Sequence, residues 1–183
     1  MQPFKSKFNK LMNITGNKNL EKSGFTYLFF TLLCVLMLSA GCSLSKTRSS
    51  NATPAESLKS LEYQLLDLVN KERKRAGLSL YIMDHTLRNV ARAHSADMVK
   101  RDFFDHKNPD GESPFDRMTK AGVKYMKAAE NVAYNASVVE IHRSLMNSPG
   151  HRKNIMNPAL GKIGIGIVNS RYGLMATQVF KNP

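Results

Sequence analysis

Ile163-Gly164-Ile165-Gly166-Ile167-Val168, followed beyond Asn169–Gly173 by the run Leu174 to Phe180, is the stretch that decides the fold. Isoleucine at every second position is the period of a strand, and the alternation predicts one that is half-buried. Glycine at the intervening positions would let another backbone or a helix approach closely. Leu174 to Phe180 reads as the partner strand, so the chain closes on a hairpin.

Outward from the hairpin the periodicity becomes helical. Leu58, Leu61, Leu65 and Leu68 predict a helix from Leu58 to Ala76, stopped by Gly77. Asp84 caps a second helix that runs to Arg101 and carries Leu87, Val90, Ala91, His94 and Met98 on its apolar face. Ser113, Pro114 and Asp116 open a third, which ends near Gly122. Ser137 and Glu140 open a fourth that reaches Asn147, where Pro149-Gly150 is expected to end it. A third strand is expected over Glu130 to Tyr134. Helices first and a hairpin last argue α+β, not alternating βαβ.

Three polar segments interrupt this pattern. They are Phe104-Asp105-His106-Lys107-Asn108-Pro109-Asp110-Gly111, Ala129-Glu130-Asn131-Val132, and Asn147-Ser148-Pro149-Gly150-His151-Arg152. Two imidazoles and a carboxylate are the donors a divalent cation takes, and also the groups that acid/base chemistry near neutral pH uses. Each has a bland reading: a turn-stabilising bond for His106, a surface role for His151, and an internal salt bridge to Arg117 or Arg152 for Glu130. His94, on an apolar helix face, reads first as a satisfied core residue. His85 and His142 read as surface positions. Tyr134, Tyr172 and Gln178 are candidates for lining a cleft. No Gly-rich phosphate loop, Gly-x-Ser-x-Gly, His-Glu-x-x-His or Cys-x-x-Cys occurs, and the lack of a reactive cysteine or an embedded serine argues against covalent catalysis.

Five blocks in order carry a family resemblance: Leu66 to Asn70 with Glu72-Arg73; Ala91 to Met98; Phe104 to Arg117; Glu130 to Ala133; and Met146 to Ile155 with Thr177 to Phe180. Together they resemble the bacterial branch of the CAP superfamily (cysteine-rich secretory proteins, antigen 5, pathogenesis-related 1), over roughly Leu58 to Phe180. The resemblance implies an α-β-α sandwich, about four helices around a small, mainly antiparallel sheet. It also implies a surface cleft where histidines and glutamates hold a divalent cation. His106, Glu130 and His151 match three of those positions. Ser148 stands where animal members carry a second glutamate, Leu145 where a tryptophan is usual, and Ala129 where a glycine is usual. His94, Asn131 and Ser148 are expected to back the cleft.

Residues 1–41 read as a signal peptide: five lysines, an apolar run from Phe25 to Ala40, then Leu38-Ser39-Ala40-Gly41-Cys42 as a lipobox with Cys42 the lipidated residue. The uncharged run from Ser23 to Ser45 is also long enough for an uncleaved span. Residues 42–57 read as a flexible tether and 58–183 as the folded domain. Cys34 leaves with the peptide and Cys42 takes lipid, so the domain folds without disulfides. The formal net charge is +13, and from Cys42 onward 22 Lys+Arg stand against 13 Asp+Glu, about +9; this serves solubility, or more sharply points to anionic envelope polymers or lipid headgroups. Nucleic acid is not an expected partner of an exported chain, and no basic run interleaves with aromatics as single-strand binding needs.

These readings converge on a domain in the bacterial cell envelope, lipid-anchored on the outer side of the cytoplasmic membrane or in the outer membrane. It is expected to be a binding module more than an enzyme. His106 and His151 would hold zinc, or else magnesium, with Glu130 assisting directly or through water, and the ligand would be an envelope glycan, lipid or protein. One alternative is a metal-dependent, peptidase-like hydrolase in which His106 and His151 hold the metal and Glu130 is the general base. The other is a lipid carrier.

Overall fold

The computed structural model describes residues 54–171 and 173–183, with side-chain surroundings from residue 58 onward. The expected signal peptide, the expected lipidation at Cys42, the expected tether up to residue 53 and Tyr172 lie outside the described residues. In chain order the elements are α1 (Pro54–Arg75), β1 (Ile82–Met83), α2 (His85–Lys100), α3 (Pro114–Lys120), β2 (Ala128–Asn135), α4 (Val138–Asn147), α5 (Pro149–Ile155), β3 (Lys162–Ser170) and β4 (Gly173–Lys181). Among the described residues no helix is long and apolar enough to cross a membrane.

The sheet order is β1-β3-β4-β2. β3 and β4 form the expected antiparallel hairpin, and β2 pairs antiparallel with β4 over its full length. The two-residue β1 runs parallel to β3 and was not legible as a strand. Both faces of the sheet are covered. Ile163, Ile165 and Ile167 pack against Leu65 and Val69 of α1, Ile141 and Leu145 of α4 and Ile155 of α5. The opposite face meets α2, with Leu87, Val90 and Ala91 beside Val179, and Met98 beside Val132 and Met175. The result is an α-β-α sandwich, and β3 is buried on both faces instead of one.

The glycines of β3 decide how α2 sits. A Cβ on Gly164 would lie 2.1 Å from the Leu87 carbonyl carbon, and one on Gly166 would lie 2.1 Å from the Arg92 nitrogen. The helix backbone rests on the bare strand. Ser95, one turn further along, donates to the Gly166 carbonyl at 2.9 Å and accepts from the Thr177 hydroxyl at 2.8 Å.

The open edge of β3 beyond β1 is closed by charge. Glu62 of α1 is fully buried. It accepts from Arg88 at 2.6 Å, from Arg92 at 2.6 and 2.7 Å, and from the Ile167 backbone N–H at 3.3 Å. A strand group with no neighbouring strand thereby finds a partner. Arg73 has a matching role at the end of α1. It donates to the carbonyls of Ser79, Ile155, Asn157 and Leu160 and lies 3.8 Å over the Tyr81 ring. Burial holds Arg73 below its ordinary value and pushes the Tyr81 phenol up to about 12.

Several local expectations hold: the Asp84 cap, the Ser113/Asp116 capping box and the Ser137 cap are all present, and Gly77 follows α1 with φ +69. Others are corrected. α1 begins at Pro54, so the end of the expected tether is helical. β2 extends from 128 to 135. Pro149-Gly150 does not end the helical region: Pro149 occupies the first turn of a new helix, a position where its missing N–H costs nothing. His142 is half-buried, with an Nδ1 that has no partner among the described residues.

Gly166→Ala is expected to destabilise the fold by about 3 kcal/mol, because neither backbone can yield. Gly150→Ala, with nothing within 4 Å of the new Cβ, should be neutral or stabilising by up to about 1 kcal/mol. Glu62→Gln should cost about 3 to 5 kcal/mol, since it strands the buried Arg88 charge. Urea unfolding of the three variants checks all of this.

Candidate functional site

β2 is the other edge of the sheet, and the candidate residues straddle it. Residues alternate across the strand. Glu130 shares the α2 face with Val132, and Asn131 shares the opposite face with Ala133. Glu130 is buried, and both of its oxygens are engaged. Oε1 lies 2.9 Å from His106 Nδ1, and Oε2 accepts from Arg117 Nη2 at 2.8 Å.

The loop before α3 presents His106. Asn108 shapes it, accepting from the N–H groups of Asp110 and Glu112 at 3.1 and 2.9 Å. Arg117 Nη1 then holds the loop by donating to the carbonyls of His106 and Glu112, each at 3.0 Å. One arginine thus ties loop, helix and strand together. A carboxylate only accepts, so His106 Nδ1 carries a hydrogen toward Glu130 and Nε2 is the ring nitrogen left over. The His106 side chain is 46% exposed.

His94 lies beneath this layer. Its Nε2 is 3.0 Å from the Asp105 carbonyl and 3.9 Å from Glu130 Oε1. The carbonyl fixes the proton on Nε2, and Nδ1 is buried without a partner among the described residues. Burial lowers the His94 pKa, and the Arg117 charge adds to this against the pull of Glu130.

On the far side of β2, His151 occupies the first turn of α5 and is half-buried. It therefore sits on a helix, not on the sharp turn that Pro-Gly suggested. Asn131 donates to the His151 carbonyl at 3.2 Å and to Gln178 at 3.0 Å, and Asn154 donates to Asn131 at 2.9 Å. This amide chain fastens α5 to the sheet. Burial lowers the His151 pKa, and the nearby His106 charge lowers it further. Ser148 occupies the N-cap position of α5 but makes no side-chain cap bond.

The structure thus bonds His106 to Glu130, sets His94 beneath them at 3.9 Å from the carboxylate, and brings His151 within electrostatic reach of His106. Among the described residues no three His, Cys, Asp or Glu side chains converge as a ready-made metal site. Imidazole nitrogens with a carboxylate behind one of them are the donor chemistry that a cation completed by solvent or ligand oxygens would take. General-base chemistry fits less well, because Glu130 directs both oxygens at protein donors. Two positioning residues carried little signal in the sequence. Arg117 stood out only as a possible partner of Glu130. Asn154 could have been found from its spacing of three after His151 on a helix.

His94, His142 and His151 all lie below the ordinary imidazole value of 6.5, each chiefly through burial. The unfolded chain takes up protons below that value and the folded chain resists them. Stability is therefore full above about pH 6.5 and falls as the pH drops beneath it. Urea midpoints at about pH 7.5 and about pH 5.5 should show this loss, and His94→Gln should make it smaller. An unchanged loss in that variant would mean that His94 takes up its proton freely in the fold.

Comparison with known proteins gives a consistent result. The family model for CAP, the cysteine-rich secretory protein family, matches residues 66–180. The Bacillus subtilis protein YkwD is 40% identical over 142 residues, 77% of this chain and 54% of its own length. The Bacillus subtilis membrane protein YlbC is 35% identical over 115 residues, 61% of this chain and 32% of its own. The chain thus spans about half of one curated relative and a third of the other. An extracellular, SCP-domain-containing protein of Bacillus anthracis superposes with a TM-score of 0.66 at 30% identity, covering 72% of this chain and 44% of that one. An outer surface protein of Borrelia burgdorferi shares the fold, with a TM-score of 0.64 at 21% identity over 68% of this chain and 93% of that one. With a family model covering most of the chain and the α-β-α sandwich in place, this protein belongs to the CAP (cysteine-rich secretory protein) family.

Proposed function

We propose that this is an extracytoplasmic CAP protein, anchored in the bacterial envelope through lipidated Cys42, whose cleft is a binding module. His106 and His151 would hold a divalent cation, zinc before magnesium, and an envelope glycan, lipid or protein would complete the site. The observation that carries the reading is the 2.9 Å contact between His106 Nδ1 and Glu130 Oε1. A carboxylate behind an imidazole fixes its tautomer and raises the basicity of the far nitrogen. The extracellular Bacillus anthracis relative and the membrane-protein relative support the location.

Each residue then has a task. Arg117 holds Glu130 in place and neutralises it, so His106 is oriented without a bare carboxylate in the cleft. Burial lowers the His151 pKa and so favours the neutral ring, whose one lone-pair nitrogen a cation would take. Asn131 and Asn154 keep α5, and with it His151, in register with β2. When bound, the cation would supply a Lewis-acid centre with positions open to ligand oxygens.

Zinc and magnesium titration of the full chain in detergent, followed by calorimetry, tests the reading. One saturable zinc site should disappear in both His106→Ala and His151→Ala, and should weaken by about 10- to 100-fold in Glu130→Gln. Zinc binding that survives both histidine substitutions would refute it.

A further inference from the structure

One pole of the molecule, distant from the entry of α1, combines unpaired lysines with exposed apolar side chains. A straight row of residues crosses the whole sheet there. Ile82 pairs with Lys162, Lys162 with Lys181, and Lys181 with Ala128. Lys127 precedes Ala128, and Lys124 lies in the turn just before it; both are exposed. Among the described residues none of these four lysines forms a salt bridge. Like charges set directly opposite on neighbouring strands, as Lys162 and Lys181 are, work against the sheet. Acids near them in sequence are committed elsewhere: Asp84 caps α2, Asp116 closes the capping box of α3, and Glu130 pairs with Arg117.

The apolar groups at this pole are equally out of place. Ile82 is 65% exposed and Met126 is 88% exposed. Phe115, 46% exposed, is carried to the same region by its ring contact with Tyr125 at 6.2 Å. Met126 is held outward by a built clamp. Asn182 Oδ1 accepts from the backbone N–H groups of Met126 and Lys127 at 2.9 and 3.1 Å, and the Asn182 N–H donates to the Lys127 carbonyl at 3.0 Å.

We propose that this pole is a docking surface for a bilayer rich in anionic lipid. The lysines meet headgroups, and Ile82, Phe115 and Met126 enter the boundary with the acyl chains. A soluble polyanion would satisfy the lysines and leave the apolar side chains with nothing to gain, whereas a lipid surface takes both. The reach is sufficient. α1 runs antiparallel to β3, since Glu62 meets Ile167 and Arg73 meets Leu160, so α1 begins at the opposite pole. The stretch from Cys42 to Pro54 extends up to about 40 Å, against about 33 Å for α1. A chain held at Cys42 can therefore turn this pole toward its own membrane. The surface is separate from the cleft of His106 and His151, so either assignment can fail without the other.

The chain contains no tryptophan, so Met126→Trp introduces a single reporter into the full chain reconstituted in vesicles. Val139→Trp is the control, because Val139 is exposed at the start of α4, beyond the far end of β2. Met126→Trp emission should shift to the blue and be quenched by brominated acyl chains when phosphatidylglycerol is present. It should not do so in pure phosphatidylcholine, and Val139→Trp should stay unquenched in both. Adding Lys127→Glu and Lys181→Glu should reduce the quenching severalfold, as should raised salt. Equal quenching in the two lipids, or equal quenching of the control, would overturn the proposal. So would a response to soluble polyphosphate with none to vesicles, which would make the pole a polymer site.

Discussion

The seating of α2 on the bare face of β3 is the constraint on which the remaining structure depends. At Gly164 and Gly166 the helix and strand backbones are so close that a single methyl group could not fit between them. That contact fixes the height and rotation of α2. It brings Ser95 to the sheet, points Arg88 and Arg92 past the strand edge toward Glu62, and places His94 under Glu130. Side-chain packing alone leaves a helix some freedom to slide or roll. Backbone resting on backbone removes most of it, because neither partner has rotamers with which to adapt.

The two edges of the sheet are treated with the same chemistry for different ends. At β3 a buried carboxylate is enclosed by two arginines and a backbone N–H, which closes the edge and joins α1 to α2. At β2 a buried carboxylate is again met by an arginine, but its second partner is a half-exposed imidazole. The first cluster faces inward and is structural. The second carries its polarity to the surface through His106, with His151 on the other side of β2. Arg117 belongs to both the architecture and the site: it fixes the loop that carries His106 and neutralises the acid that orients it.

How much of this could be read in the chain varies with the range of the interaction. The caps at Asp84, Ser113 and Ser137 are local hydrogen bonds between residues three apart, and they were legible. So was the hairpin, because its period of two repeats within a few residues. The function of the Pro149-Gly150 pair was not. Proline suits both the stop of one helix and the first turn of the next, and only packing of Ile155 into the core makes the second helix worth forming. The two-residue β1 has no periodicity to detect and exists because β3 offers it a parallel partner. Glu62 looked like one acid among many on a helix, since nothing near it in sequence announces that Arg88, Arg92 and Ile167 will surround it.

The sequence by itself determined the fold class, the family and the identity of the polar segments that gather about the β2 edge, because each is written in short patterns of residue type and spacing. Tertiary structure alone decided how those residues are used. It set His106 against one oxygen of Glu130 and Arg117 against the other, placed His151 across the edge of β2, and gathered lysines and exposed apolar groups at one pole. The reason is physical: charge pairing, burial and exposure depend on distances between segments far apart in the chain, and those distances are set when α2 comes to rest on the glycines of β3.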